Sequence, residues 1–141
     1  MQTVLLILTT AVLFLAIDAV MLNAVLAPMF RDALGPLMLD TPRWGGAAAF
    51  YVFYVIGLVI LVSRPALAAN QPRRALWQGA LLGAIAYGTY EWTSYAILAA
   101  WTLPMVLIDW GWGAVLTGTS AALGVVVTRR LTQSRSMADK G

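Results

Sequence analysis

Apolar positions along the chain fall into four long stretches, separated by short breaks in which polar residues, glycine and proline concentrate. The stretches cover residues 3–29, 46–62, 75–100 and 103–128. A transmembrane helix needs about 20 predominantly apolar residues, so the pattern predicts four spans. The breaks carry helix-ending chemistry at Gly35-Pro36, Thr41-Pro42, Arg64-Pro65 and Gln71-Pro72, because proline lacks the N–H that a helix interior requires. Pro104 falls in the first turn of the fourth stretch, where that missing N–H has no intrahelical partner to lose. Only Trp101 and Thr102 separate the third and fourth stretches, which predicts an antiparallel helical hairpin.

A closed β-barrel is the other structure able to span a bilayer. It requires apolar and polar residues to alternate over segments of about ten. Runs such as Val4 to Leu8 and Tyr54 to Leu61 do not alternate. A cleaved signal peptide would show basic residues ahead of a short apolar core. Here no Lys or Arg precedes Arg31, so the first stretch reads as a retained helix. The predicted fold is therefore all-α: an integral membrane bundle of four transmembrane helices over residues 1–128, followed by a short basic tail at 129–141.

Composition agrees and narrows the functional classes. Of 141 residues, 61% are hydrophobic and only 11% charged, with a mean hydropathy of +0.81. A soluble domain carries about 25% charged residues. The absence of cysteine and histidine excludes thiol nucleophiles, disulfides and histidine ligation of zinc or haem. No phosphate-binding loop, nucleophile elbow or zinc motif is present, and no cofactor is implied.

The net charge of +3 is informative through its placement. Four spans put the N-terminus, the second loop and the C-terminal tail on one side. That side carries Arg64, Arg73, Arg74, Arg129, Arg130, Arg135 and Lys140, against Arg31 and Arg43 on the other. The positive-inside rule then places both termini in the cytoplasm of a bacterial inner membrane. No basic run interleaves with aromatics as nucleic-acid binding demands, which leaves the lipid bilayer as the partner, with a homodimer or larger membrane complex beside it. Trp44, Trp77 and Trp101 lie at predicted helix ends and read as interfacial anchors. Gly79-xxx-Gly83, Gly113-xxx-Thr117 and Ala114-xxx-Gly118 allow close helix approach, inside the hairpin or at a dimer face. The likeness between Ile17-Asp18 and Ile108-Asp109 decays within a turn and makes no repeat.

Three of the six acidic residues, Asp18, Glu91 and Asp109, lie inside apolar stretches. A carboxylate at helix centre costs about 2.5–3.5 kcal/mol on insertion scales, and such residues mark ion or proton sites more often than chance. At 1.5 Å per residue, Asp18 and Glu91 lie about 23 Å from the cytoplasmic starts of their helices, and Asp109 about 9 Å from the outer end of its own. All three share the outer half of the bilayer, with Arg31 and Arg43 as the nearest cations. Tyr87, Tyr90, Glu91, Ser94 and Tyr95 form one helical stripe; Asp109, Gly113, Thr117 and Ser120 form another, with Trp112 one turn from the acid. Tyr51 and Tyr54 stand one turn apart on the second helix. The expected site is a pocket of Asp18, Glu91, Asp109, Tyr51, Tyr54, Tyr87, Tyr90 and Trp112, with Arg31 reaching in from the outer loop. The same residues could instead serve only to glue helices together.

At these motifs the sequence resembles the domain of unknown function 2177 family of small bacterial inner-membrane proteins, over about residues 5–126. The resemblance rests on Ile17-Asp18, Arg31 with Leu34-Gly35, Pro42 and Trp44. It continues through Tyr51, Tyr54 and Gly57, Arg64-Pro65-Ala66-Leu67, Tyr87-x-Thr89-Tyr90-Glu91-x-Thr93, and Asp109-x-x-Trp112-Gly113. Met21, Phe30, Glu91 and Ser94 depart from residues frequent in the family (Trp, Tyr, Asp and Asn). The resemblance implies four helices in the inner membrane and brings no activity with it. Three functions fit the residues: binding or conduction of a proton, cation or small ligand; an accessory role in a larger membrane complex; and carboxylate acid–base catalysis on a lipid-like substrate.

Overall fold

In a computed structural model the backbone is described for residues 2–138 and side chains as far as Ser134. All regular structure among these residues is helical. Helix α1 (Gln2–Met21) runs through a π-helical turn (Leu22–Leu26) into α2 (Ala27–Leu34) and a final 3-10 turn (Gly35–Leu37). Helix α3 (Trp44–Leu58) likewise passes through a π-helical turn (Val59–Ser63) into α4 (Arg64–Ala68). Helices α5 (Pro72–Ile97) and α6 (Leu103–Ala138) complete the chain.

The two π turns have a common cause. Each stands just before a proline, Pro28 or Pro65, whose ring would collide with the carbonyl one turn back. Widening the preceding turn removes the collision, and the N–H groups of Ala27 and Arg64 donate five residues back, to Leu22 and Val59. The helices therefore continue past their prolines instead of ending there. The first becomes one 36-residue rod, Gln2–Leu37, and the second extends from the expected residue 62 to Ala68. The α-helical part of the first rod ends at Gly35 (φ 49°), and the second rod stops just before Asn70 (φ 54°), where the backbone turns left-handed at residue types that tolerate that conformation. The polar segment after Thr128, expected as a separate tail, continues α6 to Ala138; residues 139–141 of that expected tail lie outside the described residues.

Three helices are long and apolar enough to cross a membrane: Gln2–Leu37, Trp44–Ala68 and Leu103–Ser134. The segment expected as the third span forms α5, a 26-residue helix that is not among these three. Its arginines, glutamine, threonines and Glu91 dilute its hydropathy below that of the other three.

Helix α6 is the axis of the packing, with α5 antiparallel along one side and α1 along another. Small residues set the α5–α6 distance. A Cβ added to Gly83 would lie 2.2 Å from the Gly113 carbonyl oxygen, and one added to Gly118 would lie 2.7 Å from that of Leu76. The small-residue faces thus close the hairpin internally. Leu6, Phe14, Tyr54, Leu58, Leu116 and Val125 form the apolar core between α1, α3 and α6.

The distribution of polarity is inverted relative to a soluble protein. Thr10, Ser63, Glu91, Thr117, Ser120 and Thr128 are fully buried. Phe53, Leu81, Val12 and Val115 lie more than half exposed. An outer surface of this kind is stable only against lipid.

Candidate functional site

The intramembrane acids converge toward the end of the bundle where α5 turns into α6, but they divide into two arrangements. Asp18 is almost fully buried on α1 and accepts two hydrogen bonds. The Tyr51 hydroxyl donates to Oδ2 at 2.7 Å and the Trp112 indole N–H to Oδ1 at 3.0 Å. One carboxylate thereby ties together α1, α3 and α6. Each carboxyl oxygen of Asp18 thus has a donor, and the group is a satisfied structural acceptor.

Glu91 and Asp109 are different. The ring of Tyr87 on α5 lies against Gly113 on α6, so closely that a Cβ on Gly113 would fall within the ring. One turn further along both antiparallel helices the facing residues are Glu91 and Asp109, and their carboxyl groups meet. Glu91 is fully buried and Asp109 is 7% exposed. Oε2 of Glu91 accepts a 2.8 Å hydrogen bond from the Trp101 indole, while its buried Oε1 has no partner among the described residues. Two carboxylates present only acceptors to each other; a hydrogen bond between them requires a proton.

Trp101 joins this candidate site, a place that its position at a helix end concealed. Expected as an interfacial anchor, it is 7% exposed, whereas Trp44 and Trp77 are 70% and 73% exposed as anchors should be. Helix α5 ends at Ile97 and the chain turns through Leu98–Trp101, where the Trp101 N–H bonds the Leu98 carbonyl at 3.1 Å. That turn swings the indole back over Glu91. Phe30 and Tyr90 pack edge-on against it at 5.4 and 5.3 Å, and Met29, Leu34, Met105 and Val106 complete an apolar cap.

The other expected residues are divided between this region and the surface. Tyr54 bonds Thr117, hydroxyl to hydroxyl, at 2.9 Å, and its ring stands 6.4 Å from that of Tyr87. Tyr90 is half exposed and joins the cap through its ring. Arg31 does not join the acids: it is exposed on α2, and Tyr51, Trp112 and Trp101 supply the donors in its place. Because the first helix runs unbroken past Met29, Arg31 stands 13 residues, about 20 Å, beyond Asp18 along one rod. Among the described residues no three acidic side chains come close enough to hold a metal ion. Beside Asp18, the surface of α1 carries an apolar groove of about 580 Å³, lined by Ile17, Val20, Met21, Ala24 and the Trp112 ring.

A family model described as a predicted membrane protein, domain of unknown function 2177 (DUF2177), matches residues 3–126. The chain belongs to this family. The match takes in all three acids, both indoles that serve them, and the glycines that close α5 on α6. No curated protein and no solved structure matches the DUF2177 chain.

Proposed function

We propose that this DUF2177 protein is a proton-binding protein of the bacterial inner membrane, and that the Glu91–Asp109 pair is its operative site. One observation carries the reading: a fully buried glutamate, one of whose oxygens has no donor among the described residues, faces a second buried carboxyl group across α5 and α6. A single proton held between the two groups satisfies both and removes one of two adjacent charges from a buried site. A small monovalent cation would be the nearest substitute. The pair of acids, short of a third, argues against a multivalent metal as ligand.

Four spans with both termini in the cytoplasm fit this site. Helix α5 is about 39 Å long at 1.5 Å per residue, and it lies against α6 from Gly79–Gly118 up to Glu91–Asp109. Any membrane crossed by α6 is therefore crossed by α5. Arg64, Arg73, Arg74, Arg129 and Arg130 then gather at the cytoplasmic end, where Arg129 donates to Asn70 at 2.5 Å.

The indole of Trp101 provides a built-in reporter. Gain or loss of charge on its acceptor changes the field across the ring, so tryptophan emission of the purified protein should show a titration step. Glu91→Gln and Asp109→Asn should each remove that step while the protein remains monodisperse. An identical titration curve in wild type and both variants would overturn the proposal. A second reading has its own observation, the groove beside Asp18: an apolar ligand lying there would touch Trp112. Lipid retained through purification and displaced by Ala24→Phe, with the titration step unchanged, would favour it.

A further inference from the structure

Polar groups on α6 do not stop at the acids. Asp109, Gly113, Thr117, Ser120, Gly124 and Thr128 follow one another at spacings of three or four residues, so they form a single face. From Asp109 to Thr128 that face is 19 residues, about 28 Å long, close to the ~30 Å thickness of a bilayer's hydrocarbon core. The four polar side chains on it are all buried, three of them fully.

Partners from the neighbouring helices meet this face with hydroxyl groups. Tyr54 on α3 bonds Thr117 at 2.9 Å. Thr10 on α1 lies against Gly124, its Oγ1 only 2.3 Å from where a glycine Cβ would be. Thr9 bonds Thr128 at 2.9 Å. Ser63 sits in the π-helical turn that packs on α6. Three of these fully buried hydroxyls, Thr10, Ser63 and Ser120, have no hydrogen-bond partner among the described residues.

Buried hydroxyls without partners are uncommon, and ordered water is the usual explanation. Thr117 and Ser120 stand about 5–6 Å apart on the face, a gap that one water molecule bridges with two hydrogen bonds. Between Asp109 and Thr117, where Gly113 has no side chain, the phenol of Tyr87 fills the face, its ring 6.4 Å from that of Tyr54. Among the described residues no such row of buried hydroxyls lies at the opposite end. Beyond Glu91 lies the apolar cap of Trp101, Phe30, Met105 and Val106.

We propose that the hydroxyl face of α6 is a hydrated path that connects the Glu91–Asp109 pair with the arginine-bearing end of the bundle, and that the site exchanges its proton with that side alone. The path rests on the proton-binding reading for its purpose, though not for its physical existence. Waters bridging Thr128, Thr10, Ser120 and Thr117, with the phenols of Tyr54 and Tyr87 between Thr117 and Asp109, would relay protons by successive hydrogen-bond exchange. The cap around Trp101 would deny the other face.

The chain contains no cysteine, so single thiols can be introduced without a background. Ser120→Cys and Ser63→Cys are near-isosteric and test the path; Met105→Cys tests the cap, and exposed Gln133→Cys identifies the side. Silver ion, applied to sealed vesicles of either orientation and then quenched, is the probe; thiols left free are counted with maleimide after denaturation. Ser120→Cys and Ser63→Cys should react from the same side as Gln133→Cys. They should react on the order of 100-fold faster than Met105→Cys, which must wait for local opening. Rates for Ser120→Cys and Ser63→Cys as slow as for Met105→Cys, or reaction from the opposite side, would overturn the path. The Trp101 titration separates the two ideas. Its loss in Glu91→Gln together with unreactive thiols would leave the site and remove the path; reactive thiols with an unaltered titration would do the reverse.

Discussion

Replacing Trp101 by phenylalanine removes the one N–H donor that the described residues offer to Glu91. The indole N–H is the only described donor to Glu91, at 2.8 Å, and Glu91 is fully buried. A buried group that loses its partner forfeits about 1.5–3 kcal/mol when the bond involves a charged group. The smaller ring also gives up on the order of 1 kcal/mol of packing against Phe30 and Tyr90. The total, about 2.5–4 kcal/mol, corresponds to a fall in Tm of roughly 5–15 °C for a chain of this size. Thermal unfolding in mild detergent, followed by loss of the monodisperse peak, measures it. In a Glu91→Leu background the indole has nothing to donate to, and the same change should cost only the packing part. Equal losses in both backgrounds would mean that Trp101 acts through its surface alone, and the hydrogen bond would lose its place in the site.

Asp18 makes a parallel case: Tyr51→Phe and Trp112→Phe should each lower stability by about 1.5–3 kcal/mol, and Asp18→Asn should recover part of either loss in the same unfolding assay. Gly83→Ala places a methyl group 2.2 Å from the Gly113 carbonyl oxygen, whereas Gly57→Ala meets nothing within 4 Å. The first should abolish the folded species on size exclusion, and the second should raise stability by about 0.5–1 kcal/mol through helix propensity. Arg31→Gln should leave stability within about 0.5 kcal/mol of wild type; a larger fall would restore Arg31 to the acids.

The all-helical fold and its principal spans were legible because length and mean hydropathy are properties of a segment, readable without knowing its neighbours. The site was legible in part for the same reason: charge in a lipid-soluble helix stands out wherever it lies. What the chain does between segments was not. Pro28 and Pro65 carry the same chemistry as prolines that end helices, and only the space for a widened turn let these two helices continue. Trp101 at a helix end fits an interfacial anchor as well as it fits an interior donor; the turn at Leu98–Trp101 decided between them. Depth arithmetic put three acids at one level, but level is not azimuth. The pairing of Glu91 with Asp109, and of Asp18 with Tyr51 and Trp112, depended on how α1, α3 and α5 are rotated about α6. Arg31 was misplaced for the same reason: its neighbour Phe30 reaches the cap over Glu91, whereas Arg31 stands on the exposed side of α2.

Infrared spectroscopy of the carboxyl C=O stretch reads out whether Glu91 and Asp109 hold one proton between them. Wild-type protein in lipid at neutral pH should show a protonated carboxyl band that shifts in deuterium oxide, and Glu91→Gln or Asp109→Asn should each eliminate it. A spectrum with only ionised carboxylates in the wild type, or a protonated band that survives both substitutions, would contradict the account.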